Sequence, residues 1–199
     1  MTHEGRPAVV LVHGLWNTVN IFWRLRAYLE DQGWAVHVVG LTPNNGDIGI
    51  EQQAQQLKIF IERSLASQQP FYLLGFSMGG LVSRYYMQRL GGLHRVQRFI
   101  GVAVPHYGSV LAWFRWNIGG RQMQPGSSFL ADLNQDMGQL SACQPLSLWT
   151  PYDLLVLPAH HCRLPVGEHR RLPVPTHNAM LWNPCSLEAI AQGLKGLKD

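Results

Sequence analysis

The stretch Pro70-Phe71-Tyr72-Leu73-Leu74-Gly75-Phe76-Ser77-Met78-Gly79-Gly80-Leu81 changes character at its centre. Before Ser77 lies a short apolar run of strand type. After it, Leu81 to Leu90 reads as a helix ended by Gly91-Gly92. Strand, sharp turn and helix around G-x-S-x-G is the setting that holds a serine on a strained turn, its hydroxyl presented above a sheet. Gly75 and Gly79 let strand and helix pass closely without a Cβ clash. The helix N-terminus then aims free N–H groups and the positive end of its dipole at the serine. The blander reading is a glycine-rich loop that merely turns a strand into a helix, and the surrounding chain has to decide.

Outward from this turn the hydrophobic period alternates between strand and helix. Ala8-Val9-Val10-Leu11-Val12 is continuously apolar, as a strand covered on both faces requires. It runs into His13-Gly14-Leu15-Trp16. A helix is predicted over about 21–31, with Phe22, Leu25 and Leu29 on one face and Gly33 closing it. The next strand is Trp34–Val39, followed by a loop at 42–47. A second helix spans about 50–65, with Leu57, Ile61 and Leu65 in line. After the Ser77 helix come a strand at Val96–Val104 and a looser, aromatic-rich region. There Asn117-Ile118-Gly119-Gly120 reads as a break. Ser127 or Ser128 caps a helix carrying Phe129, Leu130, Leu133, Met137 and Leu140. Strands are predicted at 145–150 and 168–174. Ser186 caps a last helix with Leu187, Ile190, Leu194 and Leu197 on one face. This alternation implies an α/β fold: a mostly parallel central sheet of about six strands with helices on both faces.

The chain has 199 residues, the size of one domain, with a short insert at about 106–140. Its net charge is +4. The basic residues are scattered, with a single local run at His169-Arg170-Arg171 and no aromatic platform, which argues against nucleic acid as a partner. Cys143, Cys162 and Cys185 are an odd count without close pairing and suggest reduced thiols. A disulfide plus one free thiol is the alternative. The N-terminal residues are polar, and the apolar run behind them is too short for a signal or a membrane span. A cytoplasmic protein without stable membrane insertion is expected. Oligomeric state has no signature in the sequence.

A serine hydroxyl is a weak nucleophile and needs a base, which needs an orienting carboxylate. In a strand–turn–helix setting of this kind the chain order is serine, acid, histidine. Asp132 and Asp136 fall on the polar face of a helix and read as solvated. Asp153 follows a strand directly, at the carboxyl edge where sites on such sheets gather. As base, His177 stands in the Pro175-Thr176-His177-Asn178 loop after the last strand. His169 lies within that strand. His160-His161-Cys162 has the look of a metal cluster but lacks a second ligand pair, so no metal is expected. The developing oxyanion needs two N–H donors. Met78, after the serine, supplies one, and Leu15, in the loop after the first strand, supplies the other. His13 reads as a structural hydrogen-bonder.

Taken together, VLVHGLW (10–16), LLGFSMGGLVSRYY (73–86), VAVPHYGS (102–109), QMQPGSSFLADLN (122–134), TPYDLLVLP (150–158) and THNAMLWNP (176–184) resemble the α/β-hydrolases, especially small bacterial triacylglycerol lipases and esterases. The resemblance implies Ser77 as nucleophile, Asp153 and His177 as its triad partners, and Leu15 and Met78 as oxyanion donors. It implies acyl transfer through an acyl-enzyme without a cofactor, on a small-molecule ester or lipid. Trp16 departs from the small residue of many relatives and narrows the site. Trp16, His106, Trp113 and Phe114 are candidate substrate contacts. Trp113, Phe114 and Trp116 either form an apolar flap or pack as core under the insert. An acyltransferase, a thioesterase or a lipid or glycolipid deacylase would use the same triad, and a non-catalytic binding module could keep the fold.

Overall fold

A strand with neighbours on both sides and helices on both faces has no wet position, and β1 (Ala8–Val12) is buried at all five residues. The structure, a computed structural model, describes residues 7–196. Leu197 and the polar N-terminal residues before Pro7 lie outside them. The other strands are β2 (Val36–Val39), β3 (Phe71–Phe76), β4 (Val96–Val102), β5 (Leu146–Trp149) and β6 (Glu168–Arg171). They form one sheet in the order β2-β1-β3-β4-β5-β6, every pairing parallel. β6 is an edge strand of Glu-His-Arg-Arg with alternating exposure, which is why its sequence is polar where β1 is not.

Helices α2 (Ile50–Ser64) and α3 (Met78–Arg89) cover one face, together with the insert. Helices α1 (Trp23–Glu30) and α6 (Pro184–Lys195) cover the other. Ile50, Ala54, Leu57 and Ile61 of α2 are fully buried along one stripe. Each of the larger side chains contributes about 1.5–3 kcal/mol by leaving water. The chain leaves β1 for β2 on one side and returns to β3 on the other. The crevice above β1 and β3 is therefore the point where strand order reverses, the usual ligand position in such sheets.

Several boundaries depart from the sequence reading. The first helix begins as a tight turn at Val19–Phe22, capped by the Thr18 hydroxyl. Asn117-Ile118-Gly119-Gly120 does not break the chain. It opens α4 (Ile118–Gln122), with the Asn117 side chain capping Gly120 N–H. Gly119 is needed there because its N–H donates to the Gly46 carbonyl at 2.8 Å across a close backbone approach. The helix expected to run from Ser127 to Leu140 is α5 (Ser128–Gln135), capped by Ser127. Asp136 leaves helical geometry, and a tighter helical segment, Met137–Cys143, continues the same apolar stripe. The last helix is capped by Asn183, not Ser186, with Pro184 in its first turn. Ser186 is buried inside it.

Asp132 and Asp136 are not simply solvated. Arg89 of α3 donates to Asp132 Oδ2 at 2.9 Å and to Asp136 Oδ2 at 2.7 Å, fastening the insert to the body. Burial raises the Asp136 pKa somewhat, but the Arg89 and Gln88 hydrogen bonds outweigh it and hold the carboxyl below its ordinary value. Cys143, Cys162 and Cys185 are free thiols. Among the described residues no helix is long and apolar enough to cross a membrane.

Candidate active site

Ser77 sits between β3 and α3 with φ 53° and ψ −128°, a backbone conformation L-residues rarely adopt. Its N–H donates to the Val102 carbonyl at 2.9 Å, and its carbonyl accepts from Gly80 N–H at 2.9 Å. Both backbone groups are thus held by the sheet and the helix. Its side chain does not cap α3, and its hydroxyl makes no hydrogen bond among the described residues. The turn depends on absent side chains. A Cβ on Gly79 would collide with the carbonyls of Val12 and His13. A Cβ on Gly14 would lie 2.8 Å from the Ser77 Cβ. The loop after β1 is therefore pressed directly against the serine.

That loop holds Leu15 and Trp16. The Leu15 N–H makes no hydrogen bond among the described residues, and Met78, first residue of α3, has no intrahelical acceptor for its own N–H. Two unspent donors thus flank Ser77. Trp16 has φ 57°, and its N–H donates to the Asn44 carbonyl at 2.7 Å. His13 is buried beneath. Its Nε2 accepts from Leu41 N–H at 3.0 Å while Nδ1 lies 3.0 Å from the Gly14 carbonyl. The pattern matches the neutral tautomer with a proton on Nδ1, and burial lowers the His13 pKa in the same sense.

Asp153 and His177 meet across two loops at the carboxyl ends of β5 and β6. His177 Nδ1 donates to Asp153 Oδ2 at 2.7 Å, and both side chains are almost fully buried. Asp153 Oδ1 accepts from the N–H groups of Leu155 and Val156 at 2.8 and 2.9 Å, so the carboxylate is held at both oxygens. The Thr150 hydroxyl donates to the Val174 carbonyl at 2.5 Å, tying the loop of Asp153 to the loop of His177. The His177 ring packs against Phe76, 4.8 Å between centroids, beside the Ser77 turn. Cys162 lies near this group. Burial, and then the Asp153 charge, raises its pKa well above the thiol norm and keeps it protonated.

Ser77 and His177 face one cavity of about 820 Å³, whose wall also includes Leu15, Trp16, Phe114 and Val156. Its roof is the insert. The Ser109 hydroxyl donates to the Leu155 carbonyl at 2.9 Å and accepts from Leu157 N–H at 3.0 Å, joining roof to acid loop. Two proposed substrate contacts need correction. His106 is fully buried and does not line the cavity. Its Nδ1 is 3.5 Å from the Arg84 guanidinium, which burial lowers to a pKa of about 10. Burial and then the Arg84 charge press the His106 pKa well below its ordinary value. Trp113 is exposed and stands outside the cavity wall, whereas its neighbours Phe114 and Trp116 line it. None of the three aromatics is core: Phe114 is 79% and Trp116 88% exposed. Among the described residues no three potential ligands form a metal cluster, and His161 instead contacts the Gly108 carbonyl at 2.9 Å.

Sequence reading missed Asn17, Ser109, Arg115, Asn117 and Asn178 on the cavity wall. Ser109 and Asn178 lie inside motifs quoted above and Asn17 adjoins one, so these were findable by position. Arg115 and Asn117 depend on how the insert folds back.

Residues 7–127 match the family model described as the alpha/beta hydrolase fold. The chain belongs to the α/β-hydrolase family. Over 117 residues, 55% of the chain, it is 32% identical to a triacylglycerol lipase of Pseudarthrobacter phenanthrenivorans and to one of Burkholderia plantarii. It spans about a third of the length of these curated relatives, 36% and 32% respectively. Among solved structures, the mature form of the Bacillus licheniformis lipase BlEst2 superposes with TM-score 0.76 at 16% identity, covering 96% of this chain and 93% of that one. Aspergillus fumigatus lipase B does so with TM-score 0.77 at 18% identity, covering 98% of this chain and 56% of that one. These likenesses establish the hydrolase fold over nearly the whole chain, the part beyond residue 127 included.

Proposed function

We propose that the chain hydrolyses carboxylic esters through an acyl-enzyme on Ser77. The observation that carries this reading is the 2.7 Å contact between His177 Nδ1 and the buried Asp153 carboxylate, with His177 and Ser77 on one cavity. His177 Nε2 takes the Ser77 hydroxyl proton as Oγ bonds to the ester carbonyl carbon. The carbonyl oxygen becomes an oxyanion, bound by the N–H groups of Leu15 and Met78. Collapse breaks the carbon–oxygen bond to the alcohol, which leaves with the proton from His177. A water molecule then gives its proton to His177 and its hydroxide to the acyl carbon. Collapse of that second adduct releases the carboxylic acid and returns the proton to Ser77. Asp153 holds the imidazole in the tautomer with Nδ1 protonated throughout. No cofactor enters these steps.

In the same reading, residues 106–140 roof the site rather than forming a separate domain. The three free thiols fit the reducing compartment that the cysteine count suggests. The lipase relatives and the apolar cavity wall favour an ester with an acyl chain. The test is a panel of p-nitrophenyl esters of increasing chain length with Ser77→Ala as blank, alongside fluorophosphonate labelling. Labelling and turnover both vanish in the variant if the assignment holds. Undiminished turnover by purified Ser77→Ala would refute it. A folded wild type that neither labels nor hydrolyses would favour a binding module.

A further inference from the structure

The cavity beside Ser77 contains one formally charged side chain among its described lining residues, Arg115, in a wall otherwise built from apolar groups, serines, asparagines and His177. A guanidinium carries five N–H donors and normally spends them on carboxylates or carbonyls. Among the other described arginines, Arg89 holds Asp132 and Asp136, and Arg84 and Arg98 reach backbone carbonyls; Arg24, Arg63, Arg121, Arg163 and Arg171 make no such bond there, but none of them lines the cavity. Arg115 donates to nothing among the described residues and forms no ion pair there. Its guanidinium lies over the Trp16 ring, 3.8 Å from the centroid, so stacking holds its plane while its donor edge stays unspent. Burial lowers the Arg115 pKa, with no neighbouring carboxylate opposing the change.

The position is built. A Cβ on Gly120 would collide with the Arg115 Cβ, so the aliphatic stem lies against α4 where there is no side chain. The Arg115 N–H is tied to the Ala112 carbonyl at 3.1 Å. Trp16, the ring it stacks on, adjoins Leu15 and is fixed to Asn44. Asp47, the carboxylate that reaches Asn117 of the same wall, is taken by Asn45 at 2.6 Å and Asn117 at 3.3 Å.

We propose that Arg115 is an anion anchor, and that the preferred substrates are esters bearing a negatively charged carboxylate or phosphate in their acyl or alcohol part. The assignment rests on the ester-hydrolase reading of Ser77. Its logic is that of arginine at planar anion sites: a pre-stacked fork loses little freedom on binding and supplies paired donors. The surrounding apolar wall strengthens the attraction relative to open water.

The test compares matched esters. On the acyl side, mono-p-nitrophenyl glutarate is set against p-nitrophenyl valerate. On the alcohol side, 4-(carboxymethyl)phenyl butyrate is set against 4-ethylphenyl butyrate, whose phenols leave about equally well. The readout is the ratio of kcat/KM, anionic over neutral, within each enzyme, which cancels differences in folded fraction. Wild type should favour the anion in one pair by about tenfold, the order given by a charge-assisted hydrogen bond at a partly exposed site. The pair that shows it identifies which part of the substrate carries the charge. Arg115→Met keeps the stem and should collapse the ratio to near one. Arg115→Glu should invert it. A ratio that is unchanged in both variants, or a wild type without preference in either pair, overturns the proposal. Calorimetry of hexyl phosphate against 1-hexanol binding to Ser77→Ala separates the two readings. Tighter phosphate binding that Arg115→Met abolishes supports the anchor even if no ester is turned over. Equal binding of the two ligands counts against it.

Discussion

At the residue scale, the site is an exchange of conformational comfort for position. Ser77 holds an unfavourable φ because the sheet and α3 grip both of its backbone groups, and Gly14 and Gly79 leave room for the grip. Asp153 is held by two backbone N–H groups and one imidazole, so its role depends on charge and geometry together. Asp153→Asn keeps the shape but removes the reason for His177 to carry its proton on Nδ1. In the proposed mechanism, kcat on a short p-nitrophenyl ester should fall by about 10³–10⁴-fold, with KM little changed. Steady-state kinetics with active-site titration check this, and a loss under tenfold would remove Asp153 from the triad. Gly79→Ala should be worse for folding than for chemistry, because its Cβ meets backbone that cannot move without opening β1. A drop in soluble yield or a lower melting temperature is the expected outcome.

At the element scale, the insert is fastened through α4 and α5 and open over Val110–Trp116. Gln122 accepts from Ile50 N–H at 2.8 Å and donates to Glu51, which pins α4 to α2. Arg89 pins α5 to α3. Between Val110 and Trp116, Phe114 and Trp116 stand exposed on the cavity wall and Trp113 projects into solvent outside it. Phe114→Ala and Trp116→Ala should therefore cost little stability. They should lower kcat/KM for long acyl chains several-fold more than for acetate, if the roof contacts the chain as proposed. A chain-length series measures this, and equal losses across it would place the aromatics outside the acyl path. The Arg89 clamp has a pH signature. The folded Asp136 carboxyl has a depressed pKa, so its stabilisation is present above the ordinary carboxylate value and lost as pH falls through the folded one. Asp136→Asn should cost about 1 kcal/mol at pH 7, a modest figure because the pair is partly exposed, and less at pH 3, below the ordinary carboxylate value. Urea midpoints at the two pH values test it.

At the scale of the whole molecule, acid tolerance is set by histidines buried without charge. His106 is fully buried beside Arg84, and its folded pKa lies well below the unfolded value of 6.5. The unfolded chain binds the proton first, so stability is complete above about pH 6.5 and declines as pH falls toward the folded pKa. The slope is about 1.4 kcal/mol per pH unit for each such histidine. His13 acts in the same direction. Denaturant unfolding from pH 7.5 to 5 should show the decline, and the His106 ring should keep its neutral carbon shifts by NMR at pH 6. The fold itself was legible locally. The apolar run of β1, the stripe of α2 and the Ser77 turn each carry their structure within a few residues, since burial on both faces, one face or a strained turn demands distinct residue patterns. The serine, acid, histidine order was a sequence expectation, and the structure brings His177 within 2.7 Å of Asp153 and sets it on the cavity of Ser77. Other features were not. Ser186 loses the capping role to Asn183, because Pro184 already supplies the helix's first turn. Asp132 and Asp136 look solvated until Arg89 arrives from another helix. His106 looks like a site residue because it follows a strand, yet its loop folds inward and buries it. Arg115 is one scattered cation in the sequence. Its unspent donors and its seat on Trp16 exist only once α4, the loop after β1 and the insert converge. Local pattern follows from short-range sterics and burial, and so the sequence alone determined the sheet and the turn. Which polar groups are paired, and which are left to face a ligand, depends on contacts between residues far apart in the chain, and only the tertiary structure decided that.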